Sequence, residues 1–163
     1  MEEFWFVLRL LLLLGVANSA PIAAKRVCGR RWSLPVDAGM LFFDGRPVLG
    51  PSKTWRGFIS AVLLTALAAY LLDIAPAIGA LMGAFAMVGD ALSSFVKRRL
   101  GVASSDRATG LDQIPEALLP LLVVYSRLAL TPLEVAAITL AFFLLEIPLA
   151  WIACKLGLRE RPY

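Results

Sequence analysis

The sequence predicts an all-α integral membrane protein with five transmembrane helices, its N-terminus outside and its C-terminus cytoplasmic. Three observations carry this. Hydrophobic residues make up 60% of the 163-residue chain, against roughly 45–50% in soluble domains, and a globule this small cannot bury so much apolar surface. Five apolar stretches approach the ~20 residues that cross ~30 Å of hydrocarbon. Fourteen of the sixteen Lys and Arg residues fall on one side if the five spans alternate, the side that the positive-inside rule assigns to the cytoplasm.

One membrane domain, residues 1–163, is expected. Its first span, about 4–24, follows an acidic Met1-Glu2-Glu3, whereas a cleaved export leader begins with cations. That span is therefore expected to remain and to face its N-terminus outward. The second, about 54–72, is long enough only if its helix starts near Thr54. The third, about 76–99, opens with Pro76 at a first-turn position and carries no charge as far as Val88. The fourth, about 115–130, contains Pro120, and the fifth, about 132–156, contains Pro148; both are expected to kink. Thr131, Pro132 and Glu134 spell a capping box that opens the fifth. Two long loops, 25–53 and 100–114, remain on the cytoplasmic side, so the chemistry is expected there. Cys28 and Cys154, in a chain with no histidine, do not make a zinc site, and a reducing cytosol leaves them as thiols.

The third span ends unusually. Gly79, Gly83, Ala86, Asp90, Ser94 and Lys97 recur every three or four residues and share one helical stripe. Gly79 and Gly83 form a GxxxG pattern that lets another helix approach closely. The same stripe then turns ionisable. A carboxylate near hydrocarbon is costly and faces a polar cavity or partner. Asp90 and Lys97 lie about 10 Å apart along the helix, too far to pair directly, so an anion held on a metal between them is the sharper reading. Arg99 points away and reads as a basic helix end that reaches for the interface.

The first loop closes with "DGRPVLGPSKTWRG", residues 44–57. Glycines and prolines fix this segment, and Ser52 or Thr54 can cap the second helix. Lys53 and Arg56 sit at that helix's N-terminus, where cations oppose the dipole unless an anion recruits them. The second loop adds Asp106 and Asp112 to Asp90, among Lys97, Arg98 and Arg107. Carboxylates interleaved with cations read as a magnesium–polyphosphate site, since Mg²⁺ takes one or two carboxylates plus water and phosphate oxygens. Phosphoryl and nucleotidyl transfer use that mixture. No nucleic-acid partner is expected; the partners are a nucleotide and the bilayer.

"GPSKTWRG" before a span, then "GDALSSFVKRRLG" and "GLDQIP", resembles the CTP-dependent phosphatidate cytidylyltransferase superfamily, and within it the short archaeal branch, the CDP-archaeol synthases. The resemblance runs from about Asp37 to Pro115. It implies Mg²⁺-dependent transfer of CMP from CTP to the phosphate of an unsaturated diether lipid, with release of pyrophosphate. It makes Asp90, Lys97 and Asp112 the catalytic set, with Asp90, Asp112 and provisionally Asp106 as metal ligands. Ser52, Lys53, Thr54, Arg56, Ser94, Lys97 and Arg98 become nucleotide- or phosphate-binding residues. The histidine element of longer relatives is missing here, and Arg56 stands where many of them have glutamate. A phosphate nucleophile is already anionic, so no strong base is needed.

Three other readings compete. A CTP-dependent polyprenol kinase shares nucleotide and membrane but moves the γ-phosphoryl group to an alcohol. A small transporter expects ionisable residues deep in several spans, and only Glu146 is deep. A scaffold that binds anionic lipids explains the cations but not Asp90, Asp106 and Asp112.

Overall fold

A computed structural model describes residues 2–103 and 110–155. These form five helices: α1 (Glu2–Cys28), α2 (Trp55–Leu71), α3 (Pro76–Arg99), α4 (Gln113–Val124) and α5 (Pro132–Lys155). Three of them, α1, α3 and α5, are long and apolar enough to cross a membrane; α2 and α4 are shorter apolar helices. No strand occurs among the described residues, only two isolated bridges within the first loop, Pro35 with Thr54 and Leu41 with Pro47. The all-α class follows.

Local signals set most of the ends. The α1 helix continues past Pro21 to Cys28, four residues beyond the expected end, and stops where Gly29 adopts φ 57°. Lys25 and Arg26 in its last turn complement the helix dipole. At α2, Thr54 is the N-cap and accepts from the Gly57 N–H at 3.2 Å. Pro76 opens α3, and Gly101 at φ 77° lies just past its end. The capping box at α5 forms: Glu134 Oε2 accepts from the Thr131 N–H at 2.7 Å, and the Glu134 N–H donates back to Thr131 Oγ1 at 3.2 Å.

The fourth helix differs from expectation. It runs from Gln113 to Val124, starting two residues early and ending six short of Leu130. Pro120 stays inside the helix without ending it. At its end the Tyr125 N–H bonds the Leu122 carbonyl at 3.4 Å. A run of turns over 125–129 follows and is closed by a left-handed Ala129 at φ 49°, where the Leu130 N–H returns to the Tyr125 carbonyl at 3.0 Å.

Helix α3 is the centre. It packs on α2 and α4, with α1 on a third side, while α5 covers α4. The α2 contact is backbone-close, because Gly79 and Gly83 lie over Ala61, Thr65 and Ala69. A Cβ at Gly83 would stand 2.6 Å from the Ala61 carbonyl oxygen. The GxxxG pattern thus serves packing within this chain. Leu10, Leu13 and Leu14 of α1, Met82, Leu121 and Phe142 build a bulky core. Nearer the first loop the core thins to Ala17, Ala20, Ala61, Ala86 and Met87, and the ionisable groups lie just beyond that small-residue layer.

Candidate active site

The first loop is a fixed scaffold. Buried Asp37 accepts from the backbone N–H groups of Leu49 and Gly50, each at 2.9 Å, and of Gly39 at 3.0 Å. Burial by itself raises the Asp37 pKa; the three other residues' N–H donors outweigh it and hold the carboxyl below its ordinary value. The loop's exit is laid against its entry: Val36 N–H donates to the Lys53 carbonyl at 2.8 Å, and Trp55 N–H to the Leu34 carbonyl at 3.0 Å. Ser52, Lys53 and Thr54 are thereby held over α3.

Lys53 reaches across. Its Nζ lies 2.5 Å from both carboxylate oxygens of Asp90, and each side chain keeps about a fifth of its surface exposed. On α4, buried Glu116 is in hydrogen-bonding contact with Asp90, with Lys53 and Glu146 in its electrostatic surroundings. That contact needs α3 and α4 to touch. Gly89 permits it, since a Cβ there would run into the Pro115 carbonyl. Glu116 was not singled out from the sequence. Its signal was an acidic residue inside an apolar helix immediately after "DQIP", which reads equally as an ordinary first-turn carboxylate.

A cavity of 760 Å³ lies above this pair. From α1, the first loop and α2 come Lys25, Arg30, Ser33, Ser52, Lys53, Thr54 and Arg56, interspersed with Pro21, Val36, Leu49, Pro51 and Phe58. Helix α3 contributes Asp90 within an otherwise apolar run, Met87, Val88, Leu92 and Phe95.

The other sequence candidates gather one turn further along α3. Lys97 Nζ pairs with Asp112 Oδ1 at 2.7 Å, largely buried. Ser93 Oγ donates to the Leu111 carbonyl at 2.6 Å, and Gln113 Oε1 accepts from the Gly110 N–H at 2.7 Å; together they fasten the second loop. Ser94 is buried. Arg98 Nη2 donates to the Ala103 carbonyl at 3.0 Å. None of Ser94, Lys97, Arg98 and Asp112 lines the cavity that holds Asp90. Asp106 lies outside the described residues.

Two readings of the cations change. Asp90 and Lys97 do not face each other across an empty gap, because each has its own ion partner from a loop. Arg99 is not a loose end at the interface: it pairs with Asp44 at 2.8 Å, donates to the Pro47 carbonyl at 2.6 Å and lies 4.6 Å from the Phe42 ring centroid. Arg56, at the cavity wall, also donates to the carbonyls of Gly29 and Arg31, at 2.9 and 2.7 Å, and so holds the end of α1.

No group of three or more metal-capable side chains occurs among the described residues. Magnesium does not require one, since substrate phosphates and water complete its shell. Asp90 and Glu116 bring two carboxyl groups together beside the Lys53 ammonium, a donor pair of the kind such an ion takes.

Comparison with known proteins agrees with the geometry. The family profile described as "CarS-like: CDP-archaeol synthase" matches residues 4–79 and 72–163. The CDP-archaeol synthase of Pyrobaculum calidifontis is 36% identical over 155 residues, covering 91% of each chain. That of Staphylothermus marinus is 29% identical and covers 86% of this chain and 89% of its own. The Hyperthermus butylicus enzyme of the same name is 40% identical over 104 residues, and there the match spans 59% of the relative's length. A solved structure described as an intramembrane enzyme for archaeal membrane lipids biosynthesis superposes with a TM-score of 0.66 at 32% identity, over 86% of this chain and 89% of that one. With two overlapping profile matches that reach from residue 4 to residue 163, the chain belongs to the CarS-like CDP-archaeol synthase family, a family of lipid-phosphate cytidylyltransferases.

Proposed function

We propose that the protein transfers CMP from CTP to the phosphate of an unsaturated diether lipid, with Mg²⁺, on the cytoplasmic side of the membrane. The observation that carries this is the mixed lining of the cavity: seven cationic or hydroxyl residues from α1, the first loop and α2 are joined to an apolar run of α3 through the Lys53–Asp90 pair. A nucleotide triphosphate suits the cations and hydroxyls, and an amphiphile's chains suit the apolar run. Cytoplasmic placement rests on the one-sided distribution of cations.

In the reaction, an oxygen of the lipid phosphate attacks the α-phosphorus of CTP; that P–O bond forms as the α–β bridge breaks and pyrophosphate leaves. The protein contributes position and charge. Lys53, Ser52 and Thr54 hold the triphosphate against the N-terminus of α2, whose dipole favours anions. Asp90 and Glu116 would hold Mg²⁺, which would neutralise phosphate charge, and Asp112 would join them only by leaving its ion pair with Lys97. Lys97 and Arg98, at the end of α3, steady the second loop through Asp112 and the Ala103 carbonyl, and so position the site from beside the cavity.

The test uses purified protein in detergent with Mg²⁺, CTP labelled at either the α- or the γ-phosphorus, and ether- and ester-linked lipid phosphates. Label entering lipid from the α-position alone, with pyrophosphate released, is expected. Label from the γ-position would establish a kinase instead, and no label in any lipid would remove the assignment.

A further inference from the structure

Residues 40–47 of the first loop form a tight hairpin. Its arms and turn are joined by backbone bonds: Phe42 N–H donates to the Arg46 carbonyl at 2.8 Å, Gly45 N–H to the Phe42 carbonyl at 2.9 Å and, just past the hairpin, Val48 N–H to the Met40 carbonyl at 2.9 Å. The Arg46 N–H bonds the Asp44 carboxylate at 3.0 Å, and Gly45 takes the φ of 74° that the turn requires. The outward face is apolar. Met40 is 61% exposed, Leu41 64% and Phe43 100%.

This tip is held rigidly, against the end of a membrane helix. Arg99 joins it through Asp44, the Pro47 carbonyl and the Phe42 ring. Arg46 Nη1 donates back to the carbonyls of Arg98 and Arg99, at 3.2 and 2.7 Å. Phe42 packs edge-on against Phe95, one turn short of the helix end, with centroids 5.3 Å apart. Exposed Val88, Leu92, Val96 and Leu100 follow one another every fourth residue and form an apolar stripe along α3. On a helix long and apolar enough to cross a membrane, that stripe is lipid-facing surface. The hairpin tip lies beside its end.

At the headgroup–acyl boundary, water still reaches backbone groups that the fold leaves open, so an interfacial element needs only its charges engaged and its apolar side chains outward. Here both charged side chains of the hairpin are engaged: Asp44 pairs with Arg99, and Arg46 donates to the carbonyls of Arg98 and Arg99. A water-exposed loop gains nothing from three adjacent bare apolar side chains, whereas an interfacial element needs them.

We propose that Met40, Leu41 and Phe43 are an interfacial membrane anchor, inserted at the headgroup–acyl boundary of the leaflet at the C-terminal end of α3. Anchored there, the first loop keeps the cavity mouth beside Leu92 and Phe95 at the bilayer surface. The anchor does not depend on which reaction the cavity performs.

Its test is a spin label at Phe43→Cys in the full chain, with Cys28→Ser and Cys154→Ser, reconstituted in liposomes. Phe43 loses only its edge-on contact with Phe42, at 5.1 Å between centroids, and Met40→Cys provides an independent position. Collisions with dissolved oxygen several-fold more frequent than with a water-soluble nickel chelate are expected at both. A label open to the chelate would put the tip in water and overturn the proposal. A label shielded from both reagents would put a protein surface there, such as a second copy, and would overturn it equally.

Discussion

Lys53 and Asp90, 37 residues apart in sequence, form one ion pair that ties the loop before α2 to the middle of α3, with the ammonium 2.5 Å from both carboxylate oxygens. The pair has two consequences. It fixes the loop over the helix, and it presets a cation and an anion where a metal-bound triphosphate must insert.

Breaking the pair from either side is expected to abolish most turnover. Asp90→Asn and Lys53→Met should each lower kcat by about 10²-fold or more, the scale of losing one preorganised charge at a reacting centre. The swapped double variant, Lys53→Asp with Asp90→Lys, should recover thermal stability in detergent but not activity. Recovered activity in the swap would mean that the pair is structural only. The readouts are CMP transfer and melting temperature.

Asp37 makes a pH prediction. Its folded pKa is below the ordinary 3.8, so its stabilisation is complete above that value. It is lost as pH falls through the lower folded value. Asp37→Asn should therefore cost about 1–3 kcal/mol at neutral pH, the range for removing an acceptor from buried N–H donors. The gap to the parent protein should close progressively in acid, below the ordinary carboxylate range. Melting curves of both proteins against pH check it; a gap constant down to the acid limit would contradict the assignment.

Two glycines in helices give opposite expectations. A Cβ at Gly83 meets the Ala61 carbonyl oxygen at 2.6 Å, while nothing lies within 4 Å of one at Gly15. Gly83→Ala should destabilise, because parting two packed backbones costs about 1–3 kcal/mol and outweighs the ~1 kcal/mol gain in helix propensity. Gly15→Ala should stabilise by roughly 0.5–1 kcal/mol, with only the propensity term acting. The same detergent melts separate the two.

These cases show which parts of the molecule were legible in its sequence. Helix starts were, because Thr54, Pro76 and the Thr131–Glu134 box act within a few residues. The contact face of α3 was legible too, since helical period alone puts Gly79, Gly83 and Asp90 on one stripe. The end of α4 was not: after Val124 the chain runs on in turns that a left-handed Ala129 closes, without the glycine that advertises such a reversal. Partners across space were also hidden. Period says which residues share a face, but not that Lys53 folds onto Asp90 while Asp112 takes Lys97. Arg99 looked like a charge seeking the interface because its partners, Asp44 and the Pro47 carbonyl, are more than fifty residues away.

Glu116 is the residue whose role was least visible and is now most testable. It is buried on α4, it touches Asp90, and the close approach of Gly89 to Pro115 brings it there. A buried carboxyl beside another carboxylate is an expensive arrangement for packing alone, which an apolar side chain would serve better. A cation shared by the two removes the conflict. Glu116→Gln keeps the shape and a hydrogen-bond donor toward Asp90 but removes the second carboxyl group. It should raise the Mg²⁺ concentration needed for half-maximal activity by about tenfold, the scale of losing one oxygen-site partner, and leave the KM for lipid phosphate nearly unchanged. Glu116→Leu should stabilise the fold or leave it neutral while it abolishes the Mg²⁺ response. If Glu116→Gln shifts melting temperature but not the Mg²⁺ titration, the carboxyl serves the α3–α4 contact and Asp90 works without it.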